Sequence, residues 1–215
     1  MKRLIPALII TVIGIGVAYF MITDNKSLPI YNPSDINPKL VDESVQGVTQ
    51  LHRVGNFNLI DQEGKSLTEK QFQNKIYVTD FFFVTCPTIC PKMATQMNRV
   101  YDEFVKNPDI LFLSHTVMPE KDSVPVLLEY AQKLKVDNTK WKFVTGDKKD
   151  IYNLARKTYF AAITEGDGGI DDFIHTENFI LVDKEKRLRG FYDGTSEKDI
   201  DRLIADIYTL LREYE

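Results

Sequence analysis

The only two cysteines of the chain lie four residues apart, in the stretch VTCPTICPKM at residues 84–93. Cys86 and Cys90 are each followed by a proline, and no other pair in the sequence is a stronger candidate for chemistry. Two thiols at this spacing can bridge each other, ligate one metal ion or attack a substrate. Packing alone is the remaining alternative, but a proline-flanked loop is an unusual place for core cysteines.

The cysteines lie where a predicted strand passes into a predicted helix. The run IYVTDFFFV at 76–84 is almost continuously apolar, as in a central strand buried on both faces. Pro91 suits the first turn of a helix, which places Cys90 at or beside the N-terminal cap. The helix dipole favours a thiolate there, and ligands gather at such carboxyl ends of strands.

Strands and helices alternate through the rest of the chain after residue 52. Short strands are predicted within FNLIDQEGKSLT and WKFVTG, at 109–114, in FILVD and in RLRGFYDG. Helices are predicted from Met93 to about 105, at 124–134, over IYNLARKTY and at 200–211. Asp147 or Asp150 is expected to cap the third of these helices, and Thr195 or Ser196 the last. This order predicts an α/β sheet covered by helices on both faces.

The N-terminus predicts a membrane anchor. The run at 4–22 has 19 residues without a charge, close to the roughly 20 that a membrane-spanning helix needs. Lys2 and Arg3 precede it and keep the N-terminus in the cytoplasm, so the rest of the chain lies on the extracytoplasmic, periplasmic side. A cleaved signal peptide is the alternative, but no small-x-small cleavage site follows Phe20.

The sequence therefore divides into a cytoplasmic tip with a single-pass anchor at 1–23, a proline-containing polar tether at 24–51 and one globular domain at 52–215. Lys2 and Arg3 are two of the 27 basic residues, so the exported part carries a net charge of about −6 against 31 acidic residues. This acidity and the topology exclude a nucleic-acid partner. Two cysteines are too few for a disulfide scaffold.

The stretch DFFFVTCPTICPKM resembles the signature of the SCO/SenC family, copper chaperones of cytochrome c oxidase assembly. The resemblance continues in MPEKDSVPVLLEYAQKL and in DDFIHTENFILVDKEKRLRGFYDG, and together it covers most of residues 52–212. Thr88 and Met118 depart from the pattern, because the family often has Asp at the first position and usually has Asp at the second.

The resemblance implies a thioredoxin-like fold, a central mixed sheet with flanking helices, behind the N-terminal transmembrane helix. It implies that Cys86, Cys90 and His175 bind copper, and that the two cysteines also form a redox disulfide. Two thiolates and one imidazole make a soft donor set, which suits Cu(I). The implied partners are cytochrome c oxidase subunit II or a similar copper-site protein, with a thiol reductant and a copper donor.

Other metal-ligating residue types fit structural roles better. His52 is expected to be solvated or to cap a helix, and His115, at the end of a strand, to be a partly buried, hydrogen-bonded histidine. Met93 and Met97 lie on an apolar helical stripe and are expected in the core. The acidic pair at 171–172, just before His175, is either solvated or a partner of its imidazole.

Three other functions use the same residues. A thiol-disulfide oxidoreductase is the main alternative, although dedicated redox motifs have two residues between their cysteines. It is compatible with copper carriage, because copper binds only the reduced thiols. A peroxiredoxin-like peroxidase needs a base or arginine beside its cysteine, and the first arginine after the cysteines is Arg99. A zinc site with the same three ligands also fits the chemistry.

Overall fold

The computed structural model describes residues 27–41, 43–49, 52–162, 166, 169 and 172–215. The predicted membrane span at 4–22 lies outside the described residues. Within them, no helix is both long enough and apolar enough to cross a membrane.

A seven-stranded mixed sheet forms the centre of the domain. Its strands are β1 (Asn58–Asp61), β2 (Ser66–Thr68), β3 (Ile76–Phe82), β4 (Ile110–Thr116), β5 (Trp141–Thr145), β6 (Asn178–Val182) and β7 (Leu188–Asp193). Their order across the sheet is β2-β1-β5-β4-β3-β6-β7. The central strands β3, β4 and β5 are parallel, and antiparallel pairs extend the sheet on both sides. The predicted mixed sheet is confirmed.

Within the described residues, four α-helices flank the sheet: α1 (Ile89–Phe104), α2 (Val124–Leu134), α3 (Lys148–Asn153) and α4 (Glu197–Arg212). A π-helical turn, Leu154–Thr158, continues α3. The side chains of Asp147 and Ser196 cap α3 and α4, each accepting from a backbone amide in the first turn. Helix α1 begins four residues before Met93, where the periodic pattern began, so that it includes Cys90.

The alternation of β3 sends its side chains into two different cores. Ile76, Val78 and Phe82 pack with α1, α2 and α4 on one face. Tyr77 and Phe81 pack on the other face with α3, the π-helical turn and the N-terminal segment. Both cysteines belong to the first core, and the sheet is covered on both faces as the sequence predicted.

Part of the predicted tether lies against the domain. Tyr31 forms an antiparallel bridge with Leu188 of β7, its amide donating to the Leu188 carbonyl over 2.9 Å. Val41 is completely buried in the second core. The buried Arg189 guanidinium donates to the carbonyl oxygens of Leu28, at 2.7 Å, and Pro29, at 3.0 Å. The folded unit therefore begins well before residue 52.

Candidate metal centre

The cysteine loop, residues 84–91, joins the end of β3 to the first turn of α1. The amide of Cys86 donates to the Phe83 carbonyl over 3.2 Å, which turns the chain directly after the strand. Thr88 occupies the N-cap position of α1, so Cys90 is the second residue of the helix. Both cysteines are free thiols and each is 6% exposed. The loop thus presents both sulfurs at a helix N-terminus, as the sequence predicted.

The two thiols differ in acidity. Burial raises the pKa of Cys86, but hydrogen bonds from the Cys90 and Thr88 backbone amides and from the Cys90 thiol outweigh it and lower that pKa to about 7. Burial raises the pKa of Cys90 to about 12, and the neighbouring Cys86 and Asp80 add to the increase. Cys86 is therefore the thiolate of the pair near neutral pH, and Cys90 keeps its proton.

Asp80 is a buried carboxyl group on the same face of β3 as the cysteines. It accepts a 2.5 Å hydrogen bond from the Ser114 hydroxyl, which accepts in turn from the Trp141 indole at 2.8 Å. Burial raises the pKa of Asp80 to about 7. Burial raises the pKa of Tyr130 on α2, and the neighbouring Asp80 adds to the increase.

Asp122 braces the start of the cysteine loop. Its Oδ2 accepts from the Val84 amide at 3.1 Å and from the Thr116 hydroxyl at 2.5 Å. Its other carboxylate oxygen is buried without a hydrogen-bond partner. Burial raises the pKa of Asp122 as well. The loop is therefore tied to the end of β4.

His175 is an exposed residue of the loop that precedes β6, residues 172–177, called here the histidine loop. A line of ring contacts leads from it to the cysteine loop. The centroid of the His175 ring is 6.4 Å from that of Phe173, and Phe173 meets Phe83 edge-to-face at 5.3 Å. Phe83 directly precedes the cysteine loop, so the two loops are neighbours where β3 ends and β6 begins.

The three predicted ligands are not gathered into a closed site. Among the described residues, no group of three His, Cys, Asp or Glu side chains is close enough to hold a metal ion. The donors themselves suit a soft monovalent ion, because two sulfurs and one accessible imidazole are what Cu(I) prefers. The arrangement is two preformed sulfur donors with a histidine on the adjacent loop.

The other predicted roles can be compared with the structure residue by residue. Met93 and Met97 are buried in the core, as predicted. His52 caps the π-helical turn, its Nε2 donating to the Thr158 carbonyl at 2.8 Å, which confirms a capping role. His115 is completely buried and its Nδ1 lies 3.1 Å from the Thr79 hydroxyl. The expected hydrogen bond is therefore present at one ring nitrogen, but Nε2 has no partner, and the histidine is completely rather than partly buried.

Asp172 was expected either to be solvated or to bind the His175 imidazole, but its carboxylate binds an arginine. Its carboxylate forms a two-point ion pair with Arg156, both contacts being 2.6 Å, and both side chains are 5% exposed. Asp172 is therefore buried in an ion pair and not solvated. Asp171 lies outside the described residues.

The chain matches the model of a known protein family. The SCO1/SenC family model matches residues 46–212, more than three quarters of the chain. The chain belongs to the SCO1/SenC family.

Relatives within the SCO1/SenC family include proteins of known structure. The SCO1 protein homolog of Bacillus subtilis is 29% identical over 158 residues, 73% of this chain and 81% of that protein. Arabidopsis thaliana ScoI with copper bound has a TM-score of 0.60 at 27% identity, covering 75% of this chain and 99% of that one. BsSco has a TM-score of 0.63 at 27% identity, covering 74% of this chain and 93% of that one. It is a member of the Sco family of cytochrome c oxidase assembly proteins in which a disulfide switch was identified.

Sequence reasoning missed the residues that support the site. The sequence pattern does indicate Asp80, since a carboxylate inside a strand buried on both faces must be hydrogen-bonded or neutralised. Asp122 lies within the MPEKDS stretch that carried the family resemblance, but its contact with Val84 depends on the fold. Arg156 had no local signal, because nothing in the helical pattern around it points to a partner at Asp172.

Proposed function

We propose that this chain is a membrane-anchored copper chaperone, which binds copper through Cys86, Cys90 and His175 and serves the CuA site of cytochrome c oxidase. It either delivers copper to that site or reduces the cysteines of that site. The observation that carries the proposal is the pair of free thiols at the start of α1 with His175 accessible on the adjacent loop. The copper bound by a relative of the same family supports it.

The donor set explains why such a site can both hold and release copper. With a pKa of about 7, roughly half of Cys86 is thiolate at neutral pH, so one sulfur can bind the ion without first losing a proton. Cys90 loses its proton when copper binds, which links affinity to pH. Three protein ligands leave the ion open to attack by a partner that offers more. We place the domain on the extracytoplasmic side of the membrane, with the run at 4–22 as its anchor.

The deciding experiment is metal analysis of the reduced domain after anaerobic exposure to Cu(I). We expect about one copper per chain with thiolate ligation, and loss of that copper in Cys86→Ala and in Cys90→Ala. His175→Ala should weaken the affinity 10- to 100-fold or more, by analogy with the cost of losing an outer partner of a metal ligand. Glu177→Ala, which changes an exposed side chain of the same loop that is not a predicted ligand, is the matched control. Full stoichiometry in either cysteine variant would disprove the shared site.

A thiol-disulfide oxidoreductase is the second candidate, and the unequal acidities of the two thiols favour it. The Cys86 thiolate would attack a partner disulfide and form a mixed disulfide. Cys90 would then lose its proton, attack Cys86 and release the partner as a dithiol, so that two electrons pass to the partner. In this case His175→Ala would leave copper affinity unchanged and alter only the exchange rate. Measuring both quantities on that variant separates the two functions.

A further inference from the structure

A buried ion pair anchors the start of the histidine loop. Arg156 holds Asp172, three residues before His175, through two 2.6 Å contacts. Arg156 comes from the π-helical turn, where the widened helix places its guanidinium 5.3 Å from the centroid of the Tyr152 ring. A two-point arginine–carboxylate contact fixes orientation as well as distance. The position of the Asp172 backbone is therefore determined by the π-helical turn.

The hydroxyl of Tyr152 provides a second anchor. It donates to the Val117 carbonyl at 2.9 Å and lies 3.3 Å from the Asp172 carbonyl oxygen. It also accepts from the amide of Ile174 at 3.4 Å. One buried oxygen thus contacts the backbone of the residue next to His175 and the backbone that follows β4.

The other side of His175 is fixed as well. The hydroxyl of Thr176 donates to the Ala161 carbonyl at 2.5 Å, in the segment that follows the π-helical turn. Residues 172, 174 and 176 are therefore held by buried contacts, whereas the imidazole of His175 is exposed. This arrangement holds the backbone still and leaves a single ring accessible.

The backbone segment at the end of β4, residues 116–117, also holds the cysteine loop. The amide of Val117 donates to the Phe82 carbonyl at 2.8 Å, at the end of β3. Thr116 donates to the Asp122 carboxylate, which accepts from Val84. Residues 116–117 at the end of β4 therefore contact both loops, the cysteine loop through Asp122 and the histidine loop through Tyr152.

We propose that Tyr152 and Arg156 are positioning residues, which hold the histidine loop in place against the cysteine loop and so set His175 for the copper site. This inference rests on the proposed function. Neither side chain touches the metal in it; each acts through the backbone next to His175. A ligand that is held in position before binding loses less conformational freedom on binding, so loosening it weakens affinity.

A double-mutant cycle tests the proposal. Tyr152→Phe keeps the ring against Arg156 and removes only the hydroxyl. We expect it to weaken Cu(I) affinity of the reduced domain 10- to 100-fold in the wild-type background. In the His175→Ala background it should cause no further loss, because the residue it positions is already absent. Tyr208→Phe on the surface of α4 is the matched control and should change neither value.

Two readouts without copper complete the test. Amide hydrogen exchange at Ile174 should accelerate in Tyr152→Phe, because that amide loses its acceptor. The reduction potential of the Cys86–Cys90 pair should stay within the error of the wild-type value. Arg156→Lys, which keeps the charge but not the two-point contact, should also weaken copper affinity and leave the reduction potential unchanged, and it guards against a folding defect of the first variant.

The outcomes are distinct. An equal loss of copper affinity from Tyr152→Phe with and without His175 would show a general structural role and overturn the proposal. Unchanged affinity in both Tyr152→Phe and Arg156→Lys would also overturn it while leaving the proposed function intact. Unchanged affinity in His175→Ala alone would reject the three-ligand site itself, and this inference with it.

Discussion

The backbone amide of Cys90 lowers the pKa of Cys86, four residues earlier in the chain, by stabilising its thiolate. This contact stabilises negative charge on one thiol of the pair and none on the other. Because the amide belongs to the first turn of α1, the difference follows from where the helix begins. A helix starting at Met93, where the periodic pattern begins, would not offer this donor.

We predict that alkylating reagents modify Cys86 first. At pH 7 about half of Cys86 is thiolate, whereas Cys90, with a pKa of about 12, is almost entirely protonated. Iodoacetamide labelling, mapped by peptide mass, should give a Cys86 rate with a midpoint near pH 7. Thr88→Val removes a hydroxyl that lies 3.7 Å from the Cys86 sulfur and should move that midpoint upward. Preferential labelling of Cys90 would contradict the assignment.

Mild oxidation is expected to join Cys86 and Cys90 in a disulfide. A disulfide sulfur is no thiolate, so the oxidised domain should take up no copper until it is reduced. Intact mass should show the loss of two hydrogens. His175→Ala should form the same disulfide, because the imidazole takes no part in the bond. Two free thiols after oxidation would argue against the redox pair.

Asp80→Asn should stabilise the domain at high pH. The carboxyl group has a pKa of about 7 in the folded state against 3.8 as its ordinary value, so the folded state binds more protons in this window. Stability is therefore lost as pH rises from about 4 to 7. The variant avoids this loss, and above pH 7 it should be more stable by up to about 4 kcal/mol.

Urea unfolding between pH 4 and pH 8 measures this difference. His115 has a pKa lowered to about 3 by burial, which makes stability rise with pH between about 3 and 6.5 and partly masks the slope from Asp80. This contribution is present in both proteins and cancels from their difference. Asp102→Asn, an exposed carboxylate on α1, is the control. A pH-independent difference for Asp80→Asn would refute the assignment.

A domain cut at residue 27 should be more stable than one cut at residue 52. The shorter form loses the Leu28 and Pro29 carbonyls that bind the buried Arg189, and it empties the core position of Val41. Loss of buried acceptors and of a core side chain should together cost several kcal/mol. Denaturant unfolding of the two forms measures the difference. Equal stability would mean that the contacts of the N-terminal segment contribute nothing.

Local patterns predicted most of the fold, and distant contacts account for what was missed. The continuous apolar run of β3 and the proline after Cys90 identified the strand-to-helix junction without any structure. By contrast, Arg189 binds Leu28, 161 residues away, and no periodicity indicates such a pair. His175 was recognised through the family resemblance, because a lone exposed histidine has no distinctive local pattern. Its anchors, Tyr152 and Arg156, are visible only in three dimensions.

The docking of Leu28 limits how far the domain can stand from a bilayer. The Leu28 amide donates to the Glu213 carboxylate near the C-terminus, so the folded unit begins at Leu28. If residues 4–22 cross the membrane as proposed, only residues 23–27 remain between the lipid and the fold, and fully extended they reach about 20 Å. The tether predicted at 24–51 is thereby shortened to about five residues. If the chain delivers copper as proposed, the recipient must then meet the domain next to the membrane.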